Sequence, residues 1–132
     1  MRRTSPVLIL LLITGFCYSQ TSLKFCLEAG KDGDCKTPAS EFTISKQGGT
    51  ITFVLKNKQG LGTNKVLYKI YHLTDNGQEV YNNTIEQAIQ AKWNYAWEEA
   101  VFYDPGTYKV LVYNTTDQGD LLCVGILKIF TQ

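Results

Sequence analysis

Val101-Phe102-Tyr103-Asp104-Pro105-Gly106-Thr107-Tyr108-Lys109-Val110-Leu111-Val112-Tyr113 is the most legible stretch of the chain. Val, Phe and Tyr favour a pleated, half-buried surface. Asp104-Pro105-Gly106 is turn chemistry, because proline presets φ and glycine tolerates conformations closed to other residues. Residues 108–113 then resume a β-rich run. Beyond it, a polar loop is expected over 115–120 and a long apolar strand over 121–130. Two strands joined by a tight corner, with another to follow, place the domain in the all-β class.

The same punctuation recurs toward the N-terminus. Leu23-Lys24-Phe25-Cys26-Leu27 alternates as a first strand, and Gly30-Lys31-Asp32-Gly33-Asp34 reads as a loop. Residues 41–45 are short and ambiguous. After Gly48-Gly49, residues 50–56 place Ile51, Phe53 and Leu55 on one face and Thr50, Thr52 and Lys56 on the other. Residues 66–73 form a strand ending at Asp75-Asn76-Gly77. Asn-Gly is a hairpin signal, so residues 78–84 should return antiparallel.

Residues 85–97 support two readings. Ile85, Ala88, Ile89, Trp93, Ala96, Trp97, Ala100 and Val101 fall at helical spacing, and Thr84 with Gln87 matches a capping box. Read at period two, Trp93, Tyr95 and Trp97 share one strand face instead. The strand reading is preferred for 93–103, with a helix or helical turn expected over 85–91. The three rings are expected to face the core, as such rings usually do. Facing outward, they would form an aromatic platform and a candidate binding face.

Asp104-Pro105-Gly106-Thr107-Tyr108-Lys109-Val110 resembles the D-x-G-x-Y-x-C stretch of immunoglobulin-like domains, with Val110 at the cysteine position. The resemblance implies an immunoglobulin-like sandwich in which the Tyr108 ring packs inside and its hydroxyl ties back to the preceding corner. The inter-sheet cysteine pair of true immunoglobulin domains is absent. More loosely, the chain is similar to small secreted β-sandwich proteins of Gram-negative bacteria, which implies a fold and an export route and no activity. The expected architecture is a single immunoglobulin-like antiparallel β-sandwich of about seven strands over 20–132, after a signal peptide.

That signal is expected over 1–19. Arg2 and Arg3 precede an unbroken apolar run, residues 7–13, and then Cys17-Tyr18-Ser19 before Gln20. The run is too short for a membrane anchor, which takes about 20 residues. Cleavage is expected between Ser19 and Gln20. A lipid on Cys17 is a lesser alternative, disfavoured by Phe16. Without the leader, eleven lysines face twelve acidic residues and no arginine remains. With no arginine and no basic run, the composition argues against a nucleic-acid binder.

Among the remaining cysteines, Cys26 and Cys35 are the expected disulfide and Cys123 the odd thiol, with a Cys26–Cys123 bridge left open. His72 is the only histidine, so any nucleophile–histidine chemistry must use it, and no nucleophile elbow accompanies it. Glu28, Asp32 and Asp34 form an oxygen-rich loop without the full calcium-loop pattern. Glu98 and Glu99 are adjacent and so point to opposite faces of a strand, which denies them the role of a glycosidase pair. Asn82 and Asn114 head glycosylation sequons, read as accidents of composition in a bacterial protein. No cofactor or metal is expected. The expected function is a secreted, non-enzymatic binding or structural module whose partner is an extracellular protein or glycan. The alternative is a small hydrolase or calcium-dependent factor built on His72 or the Glu28/Asp32/Asp34 loop.

Overall fold

The computed structural model describes residues 20–114 and 119–132. The expected leader, its cleavage point and Cys17 lie outside the described residues. Ten strands follow in order: β1 (Ser22–Cys26), β2 (Glu28–Ala29), β3 (Cys35–Lys36), β4 (Glu41–Ile44), β5 (Gly49–Lys56), β6 (Lys65–Leu73), β7 (Glu79–Ala88), β8 (Tyr95–Phe102), β9 (Gly106–Tyr113) and β10 (Leu121–Thr131). One sheet has the order β1-β5-β8 and the other β4-β10-β9-β6-β7, while β2 and β3 form a small ribbon. The chain crosses between sheets from β1 to β4 by way of the ribbon, and again after β4, after β5, after β7 and after β8, so each sheet is assembled from non-consecutive strands. The ambiguous 41–45 segment supplies β4, which pairs parallel to β10 and is an exception to the antiparallel expectation.

The core forms where alternating inner faces meet. Ile51, Phe53 and Leu55 of β5 are fully buried, as are Val66 and Tyr68 of β6 and Val110 and Val112 of β9. Phe53 sits at the aromatic centre, with ring centroids 5.3 Å from Phe25, 5.7 Å from Tyr68 and 6.3 Å from Phe102. These offset and edge-on arrangements suit the ring quadrupoles.

Tyr108 occupies the corner that its motif implied. The side chain is 2% exposed, and its hydroxyl donates to the Asp104 carbonyl at 2.8 Å. His72 stacks on the ring at 4.8 Å and Phe102 meets it edge-on at 4.9 Å. Gly106 carries φ +145° at this corner, and a Cβ there would run into His72 Nε2. The turn therefore requires glycine for both backbone and space.

The helix expected over 85–91 does not form. The Asn76-Gly77 turn sends the chain back beside β6, and the pairing continues from Leu73↔Glu79 to Lys65↔Ala88, with a bulge at Ile70/Tyr71. That ladder satisfies the edge of β6, which a helix would leave unpaired. The apparent helical period counts side chains from three pieces: Ile85 from β7, Ile89 from the following turn, and Ala96 and Ala100 from β8.

Candidate functional site

Trp93, Tyr95 and Trp97 do not face the core. In β8 the inward residues are Ala96, Ala100 and Phe102, with Glu98 half-buried among them. Ala96 lies beside Leu55 and Ala100 beside Ile51 in the ladder, so the inward face of β8 sets small residues next to the bulky ones of β5, and strand alternation puts Trp97 on the opposite face. Trp97 is consequently turned outward and is 47% exposed; Trp93 belongs to the preceding turn and is 39% exposed. The expected three-ring strand stripe is thus two strand rings and one turn ring. Together with Gln87, Lys92 and Asn94 they line a concave site of about 640 Å³ at the open side of the sandwich, where β7 ends and β8 begins.

The walls are held by bonds that do not involve the rings. The Leu61 N–H donates to the Trp93 carbonyl at 2.7 Å, Gly62 N–H to Ala91 at 2.9 Å, and Asn57 N–H to Asn94 at 2.8 Å. The Asn94 amide also donates to the carbonyls of Asn57 and Lys58. These ties fasten the turn carrying Trp93 to the 57–62 loop. Gln87 closes the gap between the sheets. Its Oε1 accepts from the Tyr68 hydroxyl at 2.6 Å, and its Nε2 donates to the Trp97 carbonyl at 2.8 Å. Burial, reinforced by Glu98 and then by Cys123, pushes the Tyr68 phenol strongly upward, so it stays a neutral donor.

The disulfide loop does not line the groove but backs one of its residues, Tyr95. Cys26 and Cys35 are bonded with Cα atoms 5.7 Å apart, which settles the cysteine pairing. The loop between them lies over the outer side of β5, where Thr52 Oγ1 donates to the Leu27 carbonyl at 3.4 Å. Gly33, at φ +76°, packs against Tyr95, whose Cγ would lie 2.5 Å from any added Cβ. Only glycine permits that approach.

The remaining candidates are dispersed. His72 serves the Tyr108 stack described above. Glu28 pairs with Lys36 and Asp34 with Lys56, each at 3.7 Å. Asp32 is exposed at φ 59°. Among the described residues, no three His, Cys, Asp or Glu side chains gather closely enough to hold a metal ion. The Glu99 N–H donates to the Glu98 carboxylate at 3.2 Å, and the two side chains take opposite faces. Cys123 is a half-buried free thiol, pushed up to about 12 by burial. Asn82 is exposed on β7, whereas Asn114 Oδ1 accepts from the Asp120 N–H. Gln87, Lys92 and Asn94 were not legible as site residues. A glutamine at an inward position of an edge strand is the signal that could have found the first of them, but in the sequence Gln87 reads only as part of a capping box.

No protein-family model matches the chain, and no curated protein matches it. Solved structures do. The soluble domain of PmoD from Methylocystis is 13% identical, with 87% of this chain and 93% of that one covered and a TM-score of 0.50. An immunoglobulin-like protein from Pseudomonas aeruginosa is 11% identical, covering 82% and 91%, with a TM-score of 0.52. At such identities the likeness is one of fold. The chain is an all-β sandwich of immunoglobulin-like fold. No helix among the described residues is long and apolar enough to cross a membrane.

Proposed function

We propose that this protein is an exported, non-enzymatic binding module that takes an uncharged glycan in the Trp93–Tyr95–Trp97 groove. The observation that carries the reading is the outward exposure of both tryptophans beside a concave wall. Large rings left in water are poorly solvated and release free energy when a flat apolar surface covers them. The neutral hydrogen-bonding capacity around them is what the Gln87 and Asn94 amides retain beyond their bonds within the protein, chiefly the Asn94 Oδ1 and the second N–H of Gln87, with Lys92 the one formal charge among the lining residues. Flat rings beside neutral amides match a ligand with an apolar ring face and a rim of hydroxyls. An extended peptide fits less well. The Trp97 carbonyl and the Glu99 N–H, which point off the open edge of β8, are already engaged by Gln87 and Glu98. Edge groups so occupied discourage strand addition. Export is supported by the basic-then-apolar start of the sequence and by the Cys26–Cys35 bond, which needs an oxidising compartment to persist.

The test is a titration of the 20–132 chain with a panel of neutral oligosaccharides, followed by tryptophan emission and calorimetry. Red emission quenched by iodide is expected in the free protein, with protection on binding. Trp93→Ala and Trp97→Ala should leave the melting temperature nearly unchanged and abolish binding. A pull-down in which only proteins are captured through the same tryptophans would replace the glycan with a protein partner.

A further inference from the structure

The chain leaves the three-stranded sheet at the end of β1 and lays a loop over its outer face. Cys26 stands beside Thr52 of β5 at that point, and the Ala39 N–H returns to the Phe25 carbonyl at 3.0 Å. Between these ties, Gly33 reaches the Tyr95 ring of β8. Asp34 pairs with Lys56, the ladder neighbour of Tyr95. The loop thus backs a groove residue from outside the groove. Few contacts besides the Cys26–Cys35 bond hold it there. The β2–β3 ribbon has only the pairs Glu28↔Lys36 and Ala29↔Cys35. The ion pairs Glu28–Lys36 and Asp34–Lys56 are both 3.7 Å long and solvent-exposed, where such pairs contribute little. The Thr52 Oγ1 bond to Leu27 is a long 3.4 Å. A cleft of about 350 Å³ separates Gly33, Asp34 and Cys35 from Lys24, Val54 and Lys56 on the sheet, so close packing does not press the loop down. The disulfide, joining residues nine apart in sequence, is therefore the strongest restraint on where Gly33 sits.

We propose that the Cys26–Cys35 bond is a redox latch on the groove. Oxidised, it seats Gly33 against Tyr95 and fixes that ring in place for a ligand; reduced, it releases the loop, and Tyr95 loses its backing while the sandwich persists. The inference rests on the reading of the Trp93–Tyr95–Trp97 groove as a ligand site and adds the regulation of that site. The sandwich is independent of the bond because Cys26 lies on the outer side of β1, away from the cluster around Phe53, Tyr68 and Tyr108 that forms the core. To close the latch, the two thiols give up two protons and two electrons to the disulfide of an exchanging oxidant, which departs as a dithiol. A dithiol reductant reverses the step. Cys26 is fully buried and Cys35 half-exposed, so an exchanging thiolate reaches the bond at the Cys35 sulfur. In a reducing cytosol, where such bonds do not persist, the chain holds ligand weakly; it gains full affinity once exported to an oxidising compartment.

The test labels the 20–132 chain with fluorotyrosine and follows it by fluorine NMR, oxidised and in excess dithiol reductant, with Tyr95→Phe identifying the Tyr95 signal. Reduction should shift and narrow that signal and leave those of the buried Tyr68 and Tyr108 unchanged; reoxidation should restore it. In the neutral-oligosaccharide titration, affinity should fall roughly three- to tenfold on reduction, because the ligand must then order an unseated side chain. Gly33→Ala in the oxidised chain keeps the bond and displaces Tyr95 directly, so it should reproduce both changes. A Tyr95 signal indifferent to reduction, equal affinity in the two redox states, or an oxidised Gly33→Ala chain in which Tyr95 is unmoved overturns the latch. So does collapse of the Tyr68 and Tyr108 signals to unfolded positions on reduction, which makes the bond a staple of the whole fold. If no oligosaccharide binds in either state while Tyr95 still responds to reduction, the ligand reading of the groove fails and the loop's control of Tyr95 stands.

Discussion

Replacing Tyr108 tests the corner on which the immunoglobulin-like reading began. Tyr108→Phe keeps the ring, its 4.8 Å stack on His72 and its edge contact with Phe102, and removes only the hydroxyl bonded to the Asp104 carbonyl. The loss should be about 1 kcal/mol, or a fall of roughly 4–8 °C in Tm for a domain of this size. Tyr108→Ala also empties a site that is 2% exposed, and should cost about 3–5 kcal/mol. Both are measured from urea melts at neutral pH, where an unchanged slope shows that the same surface is being exposed. An alkaline series adds a second readout. Burial first, and the Asp104 carboxylate second, raise the Tyr108 phenol above its ordinary value. A raised pKa means the folded state holds its proton longer than the unfolded chain. The associated stability is thus complete below the unfolded value near 10 and is lost as pH climbs through the folded one. Tyr108→Phe should flatten that alkaline decline. If both substitutions left the urea midpoint unchanged, Tyr108 would not be part of the core, and the corner argument would collapse.

Two further perturbations separate the site from its scaffold. Gly33→Ala forces a side chain into φ +76° and against Tyr95; about 1–3 kcal/mol of destabilisation is expected, together with weakened glycan binding in the same titration, because the strain is relieved by moving a groove wall. An intact affinity in a folded Gly33→Ala protein would show that the disulfide loop does not set the groove. Cys123 should react slowly with a thiol reagent at pH 8 and rapidly in denaturant, since burial lifts its thiol from 9.0 to about 12. Its contribution to stability is full below pH 9 and disappears as pH rises through 12, so Cys123→Ala should remove that part of the alkaline loss.

The sequence by itself determined the strands whose inner and outer residues differ in polarity. Residues 50–56, the Asn76-Gly77 hairpin and the 101–113 corner are local patterns, and each chain segment contains its own instruction. The same holds for Tyr108, because its partner lies only four residues away; the Cys26–Cys35 pairing was expected with Cys26–Cys123 left open, and the structure decided it. Tertiary structure decided the rest. A helical period over 85–101 was produced by a strand, a turn and another strand, and only the free edge of β6 selected the ladder over the helix. Whether Trp97 faced in or out depended on the register with β5, which sets Ala96 and Ala100 beside the buried Leu55 and Ile51 and so leaves Trp97 on the outer face. The groove likewise joins Gln87, Asn94 and the 57–62 loop through bonds across the sandwich. Local propensity records what a segment tolerates; which face is buried depends on the volume its neighbours leave unfilled, and that volume exists only once the sheets have met.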